Sequence, residues 1–179
     1  AETRKLYRIG RGEQGGLLVR PYTNDICAHW RFVNETAAHK SSNKIYEMFC
    51  DYKSRKDFIG MDMSRKFLEM GFTRARRYAN HPSGKKYDSE GNIRPQSADH
   101  FTCEKARSAT IFKAKRDLAA KDPIYVEMRK EWRASEWIVT PRYKKINNKY
   151  TSIIQTPVYY GKYRTTHWTG QTDPFRPHN

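Results

Sequence analysis

The chain has 179 residues, of which 37% are hydrophobic and 30% are charged. Lysine and arginine number 35 against 19 acidic residues, so the formal net charge is +16. This length is typical of one domain with extensions, and so large a positive excess favours an anionic partner such as nucleic acid, an acidic protein surface or anionic lipid. No run approaches the roughly 18 apolar residues of a transmembrane helix, so we expect no membrane-spanning segment.

The N-terminal segment predicts a β-hairpin over residues 5–22, because the short apolar runs "KLYRI" and "LLVRPY" flank a glycine-rich turn. We expect positive φ angles among the turn glycines, which are Gly10, Gly12, Gly15 and Gly16. The same stretch has the spacing G-x-G-x-x-G, which cradles phosphates when a strand precedes it and a helix follows. A strand-like run follows instead, so we favour a turn and keep a nucleotide site as the alternative.

Apolar residues at helical spacing predict four helices after the hairpin. The predicted ranges are 34–55, 59–80, 99–121 and 123 to about 137. Asn34 is the expected N-cap of the first helix, and Asp122 followed by Pro123 predicts the start of the fourth. In the second helix, small residues beside Gly71 predict the close approach of another helix, which would explain a glycine at this position. We therefore expect a mainly α-helical domain, and the inward face of its last helix is expected to carry Ile124, Met128 and Trp132.

Basic residues cluster in the second predicted helix and the loop after it, with one acid, Glu69, among them. The cluster comprises Arg65, Lys66, Arg74, Arg76, Arg77, Lys85 and Lys86. By the 3.6-residue period, Arg65 falls near the line of Arg76, and Lys66 near that of Arg77. We predict that these residues form a basic ridge that binds phosphates or carboxylates of an anionic partner. A solvated helix face balanced by neighbouring acids is the alternative.

The character of the chain changes at residue 138. Residues 138–179 carry four prolines, seven aromatic residues, seven lysines or arginines and one acid. This composition predicts an extended tail without a core of its own, so we place domain boundaries at 1–137 and 138–179. Aromatic rings are common interface anchors. The expected tail anchors are Tyr159, Tyr160, Tyr163, Trp168 and Phe175.

Signals of chemistry are weak along the whole chain. The three cysteines have no close pair, which fits a reducing compartment. Cys27, His29, His100 and Cys103 would make a four-ligand zinc set if the fold joined them, but the C-x-H spacing is atypical and no C-x-x-C is present. No common catalytic motif is present. We therefore expect no metal, no cofactor, no catalytic residue and no small-molecule substrate.

Four segments carry a resemblance to a known family. They are "YRIGRGEQGGLLVRPY", "HWRF", "DFIGMDMSRKFLEMGFTRARRYANHPSGKKYD" and "ATIFKAKRDLAAKDPIYVEM". Together they resemble the domain of unknown function 4385 family, from Tyr7 to about Trp132. The resemblance implies a small, mainly helical single domain, and it implies no reaction and no functional residue. The tail from Ile138 departs from the family pattern and looks like an added extension.

These features predict a non-enzymatic accessory subunit of a large organellar assembly, a respiratory or ATP-synthase-type complex in mitochondria. Its partners would be other protein subunits, reached through the basic ridge and the threaded tail. One alternative is an RNA-binding mitochondrial ribosomal protein, whose contacts with ribosomal RNA would weaken steeply with salt. The other is a small nucleotide-binding enzyme that uses the glycine-rich turn.

Overall fold

The computed structural model describes residues 7–139 and two short strands, with side chains described as far as residue 135. Its helices are α1 (Tyr22–Cys27), α2 (Glu35–Ser54), α3 (Phe58–Asn80), α4 (Glu104–Lys121) and α5 (Pro123–Val139). The described chain is mainly helical, as predicted. The chain divides into two compact units, residues 1–133 and residues 134–179.

The capping residues named from the sequence begin their helices. The Asn34 side chain accepts a hydrogen bond from the backbone N–H of Ala37 at 2.8 Å, and α2 follows. Asp122 accepts from the backbone N–H of Tyr125 at 3.1 Å at the start of α5. The start of α4 is later than predicted because residues 98–102 form turns. Local cap chemistry therefore sets where α2 and α5 begin.

The core is built around α3, which packs against α1, α2 and α4. Apolar side chains from three helices are buried there, among them Ile45, Phe49, Met63, Phe67, Leu68 and Phe112. A Cβ atom on Gly71 would lie 2.3 Å from the ring of Phe112, so α4 sits against the bare backbone of α3. The predicted reason for Gly71, close helix packing, is confirmed.

The predicted N-terminal hairpin is wrong, because residues 11–19 form consecutive turns that lead into α1. The backbone N–H of Gln14 donates to the Arg11 carbonyl at 3.0 Å. Gly12 and Gly15 have φ angles of 59° and 80°, so the expected positive φ is confirmed at both positions. The glycines make turns, as predicted, but these turns do not join two strands.

Contacts with α3 explain why this segment does not pair as a strand. The Arg65 guanidinium donates to the Gly12 carbonyl at 3.0 Å. The Thr73 hydroxyl donates to the Glu13 carboxylate at 2.6 Å. Side chains of a neighbouring helix therefore bind polar groups of this segment, and the hydrophobic pattern of the segment alone does not show this.

The inward face of α5 agrees with the prediction at Trp132, whose ring stacks on Phe58 with the ring centres 5.0 Å apart, and differs from it at Ile124. Ile124 was expected to point inward but is 50% exposed, whereas Tyr125 is 2% exposed. The Tyr125 hydroxyl reaches Asp62 in the interior. A buried polar partner on another helix decides which side chain of α5 is buried, and apolar spacing cannot report such a partner.

Two short strands, β1 (Tyr143–Ile146) and β2 (Lys149–Ser152), pair antiparallel in the second unit, with Tyr143 opposite Ser152. The rest of the predicted extended arm lies outside the described residues. Among the helices that the structure describes, none is long and apolar enough to cross a membrane.

Candidate anion-binding sites

A buried charge cluster lies on the first half of α3. It consists of Asp62, Arg65 and Lys66 with the hydroxyls of Tyr7 and Tyr125. Asp62 and Lys66 are fully buried, and Arg65 is only 9% exposed. The Arg65 Nε lies 3.1 Å from one Asp62 oxygen, and the Lys66 Nζ lies 3.3 Å from the other. The prediction that Arg65 and Lys66 belong to an exposed ridge is therefore wrong, because an acid one turn earlier on α3 holds both cations inside.

Two tyrosines complete the hydrogen bonding of this cluster. The Tyr125 hydroxyl donates to Asp62 at 2.6 Å and accepts from the Arg65 Nε at 2.9 Å. The Tyr7 hydroxyl donates to the other Asp62 oxygen and accepts from the Lys66 Nζ at 2.8 Å. Each oxygen of the carboxylate thus faces one hydroxyl and one cation, which offsets the cost of burying its charge.

The pKa values of the cluster follow from burial and from the shared carboxylate. Burial raises the pKa of Asp62, but Arg65, Lys66 and the two hydroxyl donors outweigh it and hold that pKa below its usual value. Burial, followed by the nearby Asp62 charge, raises the pKa of both Tyr7 and Tyr125. At neutral pH the carboxylate is ionised and both phenols keep their protons, so the network has a fixed pattern of donors and acceptors.

A cationic cleft of about 510 Å³ opens beside the buried charge cluster. Its lining residues are Arg65, Ala120, Tyr125, Val126, Arg129, Lys130 and Arg133. Four of these are cations and none is an acid. Within the described part of the chain, Arg129 and Arg133 form no salt bridge, and Lys130 has only a loose contact, 3.8 Å, with the exposed Glu127.

This cleft is not among the sites predicted from the sequence. The available signal was the spacing of Tyr125, Arg129 and Arg133, which repeats every four residues and places the three on one side of a helix. The site also needs Arg65, which lies more than fifty residues earlier on α3. Only the packing of α5 beside α3 brings these side chains together.

The remaining predicted ridge residues, together with two aromatic rings, form a second basic region that we call the loop surface. It comprises Arg74, Arg76, Arg77, Lys85, Lys86, Tyr87 and Phe101. Arg77, Lys85 and Lys86 are exposed, and Arg74 and Arg76 are half-buried. None of the five cations forms a salt bridge with any residue that the structure describes.

Aromatic rings interleave with these cations. The Arg76 guanidinium lies 5.4 Å from the ring centre of Phe101, which is 76% exposed. The Lys86 Nζ lies 5.4 Å from the ring centre of Tyr87, which is 52% exposed. The loop after α3 returns to the end of that helix, where the backbone N–H of residue 97 donates to the carbonyl of residue 80 at 2.9 Å. This return places Phe101 beside Arg76, a contact with no signal in the sequence.

The other predicted site residues lie elsewhere. The helix that follows the glycine-rich turn, α1, has only six residues, and a Cβ atom on Gly10 would lie 2.5 Å from the Gln14 carbonyl oxygen. A Cβ atom on Gly16 would lie 3.5 Å from the Met70 side chain, so this turn packs against α3. All five predicted tail anchors lie outside the described residues. In residues 7–135, no three or more His, Cys, Asp or Glu residues are grouped so that they could hold a metal ion.

The comparisons with known proteins give one match. The model of a family described as "Domain of unknown function (DUF4385)" matches residues 1–135, which is well over half of the chain. The match confirms the resemblance found in the sequence, and it includes every residue of the cationic cleft and the loop surface. No curated protein and no solved structure matches the chain.

Proposed function

We propose that this chain, which belongs to the DUF4385 family, is a non-enzymatic accessory subunit of a larger organellar assembly. The assembly is a respiratory or ATP-synthase-type complex, and the loop surface docks on an acidic face of a neighbouring protein subunit. One observation carries the proposal: five cations of the loop surface lack a salt bridge among the described residues. In this proposal the predicted tail anchors, which lie outside the described residues, bind further neighbouring subunits.

The charge of the loop surface supports an anionic partner. Its cations repel one another when the domain is alone, and an acidic partner relieves that repulsion. Arginine forks also bind carboxylates with two parallel hydrogen bonds. Tyr87 and Phe101 add large exposed rings, which contribute strongly to binding at protein interfaces when a partner covers them.

The buried charge cluster supports a structural function for the interior of the domain. Both oxygens of Asp62 already accept hydrogen bonds, and Lys66 is fully buried against Tyr7. These groups bind one another and hold α3, α5 and the N-terminal segment together. Asp62, Lys66 and the two tyrosine hydroxyls thus stabilise the packing of these segments.

RNA binding is a second candidate, which one specific contact favours. Phe101 is the most exposed large apolar side chain of the described residues, and Arg76 lies against its ring. An exposed ring beside a cation is the arrangement on which a nucleic-acid base stacks, for about 1–3 kcal/mol per base. A partner of this kind would be single-stranded ribosomal RNA.

The test measures binding of the full chain to two labelled polyanions, a polyglutamate peptide and a single-stranded RNA of about 12 nucleotides. Fluorescence anisotropy is recorded at about 50 and about 200 mM salt. The variant R77Q/K85Q removes two exposed cations of the loop surface. The matched control, K40Q/K56Q, removes two exposed cations from outside it.

The proposal predicts that R77Q/K85Q weakens polyglutamate binding while K40Q/K56Q does not. Equal losses in the two variants would mean that binding follows net charge alone, and the docking proposal would fail. A further variant, F101A, separates the candidates, because loss of RNA binding with polyglutamate binding retained identifies RNA as the partner.

A further inference from the structure

We propose that the cationic cleft binds a phosphorylated small molecule, with a phosphoryl or diphosphoryl group that carries at least two negative charges. This site goes beyond the docking function, because it uses different side chains on α3 and α5. It also differs from the prediction made from the sequence, which was that the protein has no small-molecule substrate.

The positive charge of the cleft lining favours an anionic ligand. Four cationic side chains and no acid line the cleft. Arg129 and Arg133 lie one helical turn apart on α5, so both guanidinium groups reach the same space. Neither has a salt bridge with a residue that the structure describes, so both are available to bind a ligand.

Arg65 lies at the inner end of the cleft, where it is buried and its guanidinium is held in a fixed orientation. Arg65 is only 9% exposed. Its Nε contacts Asp62 and Tyr125, and its Nη2 donates to the Gly12 carbonyl at 3.0 Å. Its Nη1 makes no hydrogen bond to any described residue. A guanidinium held in this way loses little conformational entropy when it binds phosphate oxygens.

The size and shape of the cleft favour a small ligand over a polymer. A volume of about 510 Å³ lies within the range of small-molecule sites, about 300–1,000 Å³. Only a terminal phosphoryl group can reach a guanidinium at the inner end of a concave site, whereas the phosphates within a polymer chain stay at the rim. Ala120 and Val126 provide an apolar wall for the rest of the ligand.

The test is isothermal titration calorimetry on the full chain, in buffer free of divalent cations. The probes are inorganic phosphate, pyrophosphate and ATP. The variant R129Q/R133Q alters the cleft at two side chains that are not buried, so we expect it to fold, and circular dichroism checks this. K40Q/K56Q is the matched control for net charge.

Wild-type protein is expected to bind pyrophosphate or ATP saturably with one site, and more tightly than it binds inorganic phosphate. R129Q/R133Q should weaken that binding by about tenfold or more, since each lost charge-assisted hydrogen bond contributes substantially. K40Q/K56Q and the loop-surface variant R77Q/K85Q should leave it unchanged, which separates this site from the docking surface.

Three results would overturn the proposal. One is the absence of saturable binding for all three probes. Another is an equal loss of affinity in the cleft variant and the control, which would show attraction by net charge alone. The third is binding of single-stranded RNA that depends on Arg129 and Arg133 without any pyrophosphate or ATP binding, which would make the cleft part of a nucleic-acid surface.

Discussion

The two halves of α3 carry the same basic residue types in opposite environments. In the first half, Arg65 and Lys66 are buried against Asp62, three and four residues before them. In the second half, Arg74 and Arg77 have no such partner, because Glu69 pairs instead with Arg116 of α4 at 2.7 Å. The comparison shows that the location of the acids, and the elements that cover them, decide whether a cation stabilises the interior or faces a partner.

The largest expected effect comes from removing the acid of the buried charge cluster. D62N leaves Arg65 and Lys66 buried without a counter-charge, so we expect it to lower the free energy of unfolding by about 3–5 kcal/mol. The control D51N breaks the exposed pair with Arg55 and should cost at most about 1 kcal/mol. Urea denaturation of both variants measures the difference, and similar losses would remove the distinction between buried and exposed charge.

The packing of the buried side of α3 is tested by Gly71. G71A places a methyl group into the ring of Phe112, and we expect a net loss of about 1–3 kcal/mol of stability despite the better helix propensity of alanine. In an F112L background the same change should cost less, because the obstructing ring is gone. Additive effects in this double-mutant cycle would contradict the close contact.

The pH dependence of stability should report the same buried carboxylate. The folded-state pKa of Asp62 is lowered, since Arg65, Lys66 and the hydroxyl donors together outweigh burial. Its stabilising contribution is therefore fully present above the unfolded pKa of about 3.9 and is lost as the pH falls through the lower folded value. In the wild type, the free energy of unfolding should fall as the pH drops below about 4. We expect D62N to make this fall (the acid limb) much shallower, and D51N to keep most of it. An unchanged acid limb in D62N would show that other carboxylates carry it.

The smallest effect on stability is expected at the loop surface. R77Q/K85Q removes two exposed cations without a salt bridge to any described residue, so the free energy of unfolding should change by no more than about 0.5 kcal/mol. The same urea experiment checks this. A loss as large as that of D62N would mean that these cations stabilise the fold.

Local patterns in the chain are enough to predict α2, α3 and α5 and the N-caps of α2 and α5. Asn34 and Asp122 act within three residues of their own positions, and the apolar stripes of α2 and α3 repeat at one helical period. The unusual glycine, Gly71, also has a local signature among small residues. These features depend on neighbours along the chain, so the sequence alone predicts them.

The sequence predictions that proved wrong share one cause, which is contacts between segments far apart in the chain. The predicted hairpin became a set of turns because Arg65 and Thr73 of α3 bind its polar groups. Two of the seven residues of the expected ridge, Arg65 and Lys66, are internal because Tyr7 and Tyr125, far apart in the chain, meet at Asp62. The periodicity of apolar residues in the sequence does not indicate these contacts.

The amino-acid order therefore determines where α2, α3 and α5 begin, most of the apolar stripes of α2 and α3, and how large the positive charge of the protein is. Only the packed structure decides which of those charges are inside, which are exposed and which meet in the cationic cleft. The physical reason is that helix propensity and capping act over a few residues, whereas the burial of a charge depends on partners that several separate segments supply.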